Sequence, residues 1–194
     1  LTRRLSQATP GLSVKVTVVN WGLVNAFATP GGQIILTRGL LQTAGSPDEV
    51  AGVLAHELGH ALELHPETSF VRAIGLAAAS QLIFAGSSGT ATNIGLLITQ
   101  IQYTRVAEQE ADAHAVRILR GAGVSAKGLA DFFQRIQSPA EKTVLNSSVI
   151  RTHPLTSERV AFVKSQPDYP ATPSLDAAQW RALKAICGTG PTKD

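Results

Sequence analysis

Residues 56–60 read His56-Glu57-Leu58-Gly59-His60. Two histidines four positions apart on a helix stand one above the other on a single face. That spacing lets two imidazoles grip one metal ion, with the intervening glutamate placed as general base for a water on that metal. The rest of the fold can be read outward from this helix.

Its start is specified upstream. Ser46 is the expected N-cap, Pro47 takes the first helical position, and Asp48 and Glu49 lie in the positive first turn. Ser46 and Glu49 together spell the S-x-x-E capping box. The pattern predicts a helix running to about His65, stopped by Pro66. At about 100° per residue, Val50, Leu54, Leu58, Ala61 and Leu62 form a core stripe, with His56 and His60 projecting from roughly the opposite side. Gly52 and Gly59 flank the histidines. A mid-helix glycine costs about 1 kcal/mol relative to alanine, so two of them here predict that another backbone approaches closely. The helix is therefore expected to be buried on more than one side.

A chain of 194 residues, 44% hydrophobic and 16% charged, is expected to form one globular domain over 1–194. Within it the catalytic core spans about 13–165, and a C-terminal helix and tail occupy 174–194. The net charge of +3 comes with no dense Lys/Arg run, which argues against nucleic acid as a partner. Cys187 is the single cysteine, so an internal disulfide and a cysteine-based metal cluster are excluded. The chain starts at Leu1 and contains no methionine, so it reads as a processed or trimmed piece, and any signal peptide or membrane anchor upstream would be invisible in it.

Residues 13–20 (SVKVTVVN) alternate and read as a strand, 29–32 (TPGG) as a turn and 33–37 (QIILT) as a second strand. A short helix near 38–44 is closed by Gly45. Residues 103–120 form a second strong helix ended by Gly121. Further helices are expected near 125–137, 156–165 and 174–187, capped by Ser125, Thr156 and Ser174. Trp180, Leu183 and Ile186 should pin the last one to the body. The 73–104 segment has no charged residue, but the Gly86-Ser87-Ser88-Gly89-Thr90 break leaves two halves short of the ~20 residues a spanning helix needs. A buried helical hairpin or lid is the expected form, with membrane-surface contact as the alternative.

A catalytic zinc takes three protein ligands and keeps one open position. A third histidine six residues after the second is ruled out, because Pro66 stands there. A carboxylate from a later helix fits better. Glu108 and Asp112 are four apart and share one face of the 103–120 helix. Such a pair suits Glu108 on the metal and Asp112 accepting the free N–H of a ligand imidazole. Glu110 lies about 200° round the helix from Glu108 and reads as a solvated carboxylate. His65 and His114 match no ligand position. Ala107, Ala111 and Ala115 give this helix a slim side for close packing.

AHELGH followed about fifty residues later by RVAEQEAD resembles the gluzincin zinc metallopeptidases of the HtpX-like and CAAX-prenyl-protease family, including its soluble, periplasmic BepA-like branch. Asn25-Ala26-Phe27-Ala28 with the following glycine turn and ILTRGLL resembles that family's segment before HExxH. Thr152-His153-Pro154 with Arg159 resembles its late HP-x4-R segment. The resemblance implies a zincin-like α+β domain, mostly helical, with a small N-terminal sheet packed on the HExxH helix. It implies one Zn2+ at His56, His60 and Glu108, Glu57 as catalytic base, Asp112 behind the ligands, and His153 and Arg159 near the metal. Either of the last two would hold the oxyanion, or His153 would fill the open zinc position at rest. Arg105 reads as structural.

The implied function is a zinc metalloendopeptidase acting on extended protein or peptide substrate in cell-envelope or membrane protein quality control. Its implied location is the cell envelope, periplasmic or membrane-anchored through a missing N-terminal segment. Two other readings stand beside it: a zinc-containing chaperone-like binding module with latent or no proteolysis, and a small-molecule amidase or esterase.

Overall fold

The structure is a computed structural model that describes residues 1–12, 14–75, 102–138 and 152–188. Most of the uncharged segment and the last six residues lie outside the described residues, so the readings made of them are not addressed by it.

Three short strands form the sheet: β1 (Lys15–Val19), β2 (Ala26–Ala28) and β3 (Gln33–Thr37), in the order β1-β3-β2. β1 runs parallel to β3, pairing Lys15 with Gln33 through Val19 with Thr37. β2 runs antiparallel, pairing Ala26 with Leu36 and Ala28 with Ile34. The chain reverses between β2 and β3 over Gly31 and Gly32, with φ of 88° and 78°. This is the left-handed region that glycine enters without strain. β2 was not expected as a strand on its own pattern, since three residues are too few to show alternation.

The helices described before the HExxH motif are α1 (Thr2–Gln7) and α2 (Arg38–Thr43). The motif helix is α3 (Pro47–Leu62), followed by α4 (His65–Ile74), α5 (Arg105–Gly121), α6 (Lys127–Gln137), α7 (Ser157–Lys164) and α8 (Ala177–Lys184). α3 is the axis of the fold. Every residue from Glu49 to Ala61 is buried, with α5, α6 and the sheet packed around it. A Cβ on Gly52 would lie 2.7 Å from the Leu129 backbone of α6. One on Gly59 would lie 2.6 Å from the Ala111 carbonyl oxygen of α5. Both glycines are thus places where a second helix backbone crosses α3, as expected, but they meet different helices. No helix among the described residues is long and apolar enough to cross a membrane.

Several local expectations are corrected. Pro66 does not stop the motif helix. α3 ends at Leu62, Leu64 turns into the left-handed region at φ 52°, and Pro66 sits in the first turn of the next helix. Proline is at home there because its missing N–H would be unbonded anyway. Leu62 leaves the core stripe and is 38% exposed, because the helix ends under it. Ser46 caps α3 by accepting the Glu49 N–H, but the Glu49 carboxylate goes to the Gly45 N–H and to Arg135 on α6. The capping box gives way to a tie between helices.

Thr156 caps α7 as expected. α8 is capped by Asp176, in a capping box with Gln179, rather than by Ser174. α6 is given from Lys127 after the already helical Ala126, and Ser125 Oγ accepts the Lys127 N–H at 3.3 Å, the capping contact expected of it. α5 includes Gly121, and the positive φ falls at Gly123 instead. Trp180 and Leu183 pack on the core, but Ile186 is exposed.

Candidate active site

α3 and α5 cross at Gly59 and Ala111, and that close approach brings two sets of side chains together. α3 contributes His56, Glu57 and His60, and α5 contributes Glu108 and Asp112. The segment leading into α7 adds His153, and α7 adds Arg159. All seven are buried.

Ligand atoms of His56, His60, Glu108 and His153 converge within 4.8 Å, the one such group among the described residues. His56 Nε2 is 3.1 Å from His60 Nε2, and each is 3.4 Å from a Glu108 oxygen. His153 Nδ1 completes the group, 3.3 Å from His56 Nε2 and 3.0 Å from Glu108 Oε1. A tetrahedral zinc with bonds of about 2.0–2.1 Å spaces its ligand atoms about 3.3 Å apart. The chemistry agrees with the spacing. Imidazole nitrogens and carboxylate oxygens are lone-pair donors, and a cation at their centre satisfies all of them at once. These residues therefore fit a zinc ion.

Behind the four stands a charged support. Asp112 Oδ1 is 2.9 Å from His56 Nδ1, the nitrogen turned away from the cluster. Arg159 donates to both Asp112 oxygens, at 2.7 and 2.9 Å, to the Pro154 carbonyl at 3.0 Å, and pairs with Glu108 Oε2. Its guanidinium also lies 4.7 Å from the Phe133 ring centroid. Its donors are thus turned to Asp112, Glu108 and Pro154, with Nη2 also 3.5 Å from His56 Nε2.

Glu57 is held differently. Its Oε2 accepts the Ala28 N–H of β2 at 2.9 Å, and its Oε1 is 3.4 Å from His153 Nε2. Thr37 N–H donates to the Asn25 carbonyl and Thr29 N–H to the Gln33 carbonyl, so residues 25 and 29 turn toward β3. By the alternation of an antiparallel pair, Ala26 and Ala28 direct their backbone groups away from β3. The glutamate is therefore clipped to the outer side of an edge strand, and Ala26–Ala28 are buried.

Protonation follows from these contacts. Burial opposes charge on His56, but the Asp112 and Glu108 carboxylates overcome it and push its pKa up to about 9. Burial carries His60 the other way, well below the ordinary value, aided by charge on His56 and His153. Burial raises Glu57. Glu108 is also buried, but His153, His56 and His60 hold its carboxyl well below the usual range. Asp112 is lowered too, because Arg159 and His56 outweigh its burial.

Two contacts of His60 were not expected from sequence. Tyr103 stacks on its ring with centroids 4.0 Å apart and planes 21° from parallel. His65, which matched no ligand position, lies with Nδ1 3.0 Å from His60 Nδ1. Glu110 is exposed, as expected, and pairs with His65 Nε2 at 3.1 Å. His114 instead pairs with Glu63.

Residues 4–166 match the sequence model of peptidase family M48. A Vibrio cholerae protein carrying the beta-barrel assembly-enhancing protease name is 31% identical over 170 residues, covering 79% of this chain and 35% of its own. Metalloprotease LoiP of Escherichia coli K12 is 29% identical over 150 residues, covering 74% of this chain and 58% of its own. The mitochondrial metalloendopeptidase OMA1 of Arabidopsis thaliana is 28% identical over 150 residues, covering 77% and 30%. The chain thus spans between 30% and 58% of the length of these relatives.

Proposed function

The chain belongs to peptidase family M48, and on that premise we propose that it is a zinc metalloendopeptidase that cleaves polypeptide in the cell envelope as part of protein quality control. The observation that carries this reading is the convergence of His56, His60 and Glu108, with Glu57 beside them. His56, His60 and Glu108 would hold the metal, and Asp112 would orient His56. Zinc bound there supplies Lewis acidity and brings a water's pKa to about 7.

Glu57 takes the proton of the attacking water and returns it to the leaving amine. A carboxylate whose pKa is raised by burial is suited to that exchange. One Glu57 oxygen is anchored by the Ala28 N–H, which leaves the other to move the proton. His153, 3.4 Å from Glu57, is the group we assign to the oxyanion. Arg159 serves by holding Asp112 and Glu108. Substrate lies extended along β2, paired through the outward backbone groups of Ala26 and the Ala28 carbonyl, the Ala28 N–H being taken by Glu57. The cell-envelope setting rests on the name of the beta-barrel assembly-enhancing relatives.

Two observations favour a latent form of the same enzyme. His153 Nδ1 stands in the fourth position of the cluster, and β2 is buried where substrate would pair. In that form His153 would be a fourth residue holding the metal at rest.

Casein cleavage by wild type, Glu57→Gln and His153→Ala, with zinc content measured in each, tests the reading. Glu57→Gln should keep zinc and lose cleavage. Cleavage at the wild-type rate by that variant would falsify the mechanism. Zinc binding with no cleavage by wild type or His153→Ala would favour a binding module. His153→Ala should cleave faster than wild type if His153 is mainly a resting ligand, and slower if it mainly holds the oxyanion.

A further inference from the structure

We infer that His65 and Glu110 form a hydrogen-bond relay that holds His60 in the one tautomer able to bind the metal. The inference rests on the zinc reading of the cluster. His65 and Glu110 would then be positioning residues.

The direction of the relay follows from which atoms can donate. His60 Nε2 faces the cluster, 3.1 Å from His56 Nε2 and 3.4 Å from Glu108 Oε1. A neutral imidazole that offers the Nε2 lone pair carries its proton on Nδ1. His60 Nδ1 lies 3.0 Å from His65 Nδ1, so His65 must accept there and keep its own proton on Nε2. His65 Nε2 in turn lies 3.1 Å from Glu110 Oε2. An ionised carboxylate can only accept. Glu110 therefore fixes the polarity of the whole chain from its outer end. The reverse polarity would put a proton on His60 Nε2, where it blocks the metal.

The backbone shows an independent sign of the same arrangement. Leu64 is the only non-glycine residue with positive φ among the described residues, at 52°. That is a conformation an L residue seldom adopts. Burial of the side chain does not offset this, because Leu64 is 58% exposed. The conformation does end α3 and turn His65, the first residue of α4, back over His60. Strain of this kind persists where the surroundings require the resulting geometry. Tyr103 stacks on the His60 ring and holds its plane, so Nδ1 is aimed at His65.

A second metal site does not account for these residues. His65 pairs with Glu110 and His114 with Glu63, and the four do not converge as the ligand group does.

The test uses the full chain and compares wild type, His65→Phe and Glu110→Gln, with Glu63→Gln as the control for loss of a neighbouring charge. Zinc affinity is read by competition with a chromophoric chelator, and the His60 tautomer by long-range ¹H–¹⁵N NMR with and without zinc. His65→Phe should weaken zinc about 10- to 100-fold. Glu110→Gln, whose amide can donate as well as accept, should weaken it about 10-fold at most and mix the His60 tautomers in the zinc-free protein. Glu63→Gln should match wild type. Glu110 is half-exposed, so its variant reads the relay even if His65→Phe folds poorly. Wild-type zinc affinity and an unchanged His60 tautomer in Glu110→Gln would overturn the relay. If wild type bound no zinc, the zinc reading would fail, and the zinc-free spectra would still decide the relay on the same tautomer criterion.

Discussion

The two histidines of HELGH are one helical turn apart, and they are supported by networks of opposite character. His56 leans on Asp112, which Arg159 grips with two hydrogen bonds, and all of these groups are buried. His60 leans on His65, which leans on Glu110, and that chain ends in a side chain 49% exposed. One support is a charged knot inside the protein, and the other is a line of hydrogen bonds leading to its surface. A buried support must be complete to exist at all, since an unpaired buried charge is costly. A support open to water is cheap to keep and cheap to alter.

The largest expected effect comes from breaking the buried side. Asp112→Asn leaves Arg159 buried without its full partner and should destabilise the zinc-free protein by about 3–5 kcal/mol. Chemical denaturation of the zinc-free protein measures it. Replacing both residues by apolar ones of similar size, Asp112→Leu with Arg159→Met, should recover most of that stability and none of the zinc affinity. A loss below about 1 kcal/mol for Asp112→Asn would mean that water reaches this pair, and the contrast with the His60 side would disappear.

Next in size is the crossing that both supports share. A Cβ on Gly59 would meet the Ala111 carbonyl oxygen at 2.6 Å and Ala111 Cα at 2.9 Å. These are backbone atoms, so α3 and α5 must part. Gly59→Ala should cost about 1–3 kcal/mol and weaken zinc as well, because Glu108 moves away from both histidines. Gly52→Ala forces a similar separation, but from Leu129 on α6. It should lower thermal stability comparably and leave zinc affinity close to wild type. Equal zinc affinity in the two variants would show that the α3–α5 crossing does not set the site.

The same contrast explains what could be read from the sequence. The His56 side is written in local spacing: His56, Glu57 and His60 on one helix, and Glu108 and Asp112 four apart on another. Helical periodicity converts such spacings into shared faces. His153 and Arg159 carry no such pattern and were reached only through resemblance to a family. The His60 side was not legible. His65 is five residues after His60, and on a continuous helix it would sit about 140° away and face elsewhere. It returns only because the helix breaks at Leu64. Leucine gives no warning of a left-handed turn, as glycine or asparagine would. Pro66 reads as a stop signal in the sequence but marks a start, for the same reason. The Glu49 carboxylate escaped the capping-box rule because Arg135, 86 residues away in sequence, competes for it. Local rules are silent about such partners.

The smallest expected effect is a gain, and it concerns this turn. Leu64→Gly removes a left-handed strain of about 1–2 kcal/mol and adds about 0.5–1 kcal/mol of chain entropy to the unfolded state. The net should be a stabilisation of up to about 1.5 kcal/mol, visible as a small rise in thermal midpoint. Zinc affinity should hold, since the Leu64 side chain is 58% exposed and the His60–His65 hydrogen bond is made by the two rings. The outcome separates two accounts of the outer support. If stability rises and zinc affinity holds, the leucine backbone only carries the turn, and His65 does the orienting. If zinc affinity falls although the turn is relieved, a stiff link at residue 64 is itself what holds His65 against His60. The surface-reaching support would then depend on rigidity in the backbone, as the buried one depends on paired charge.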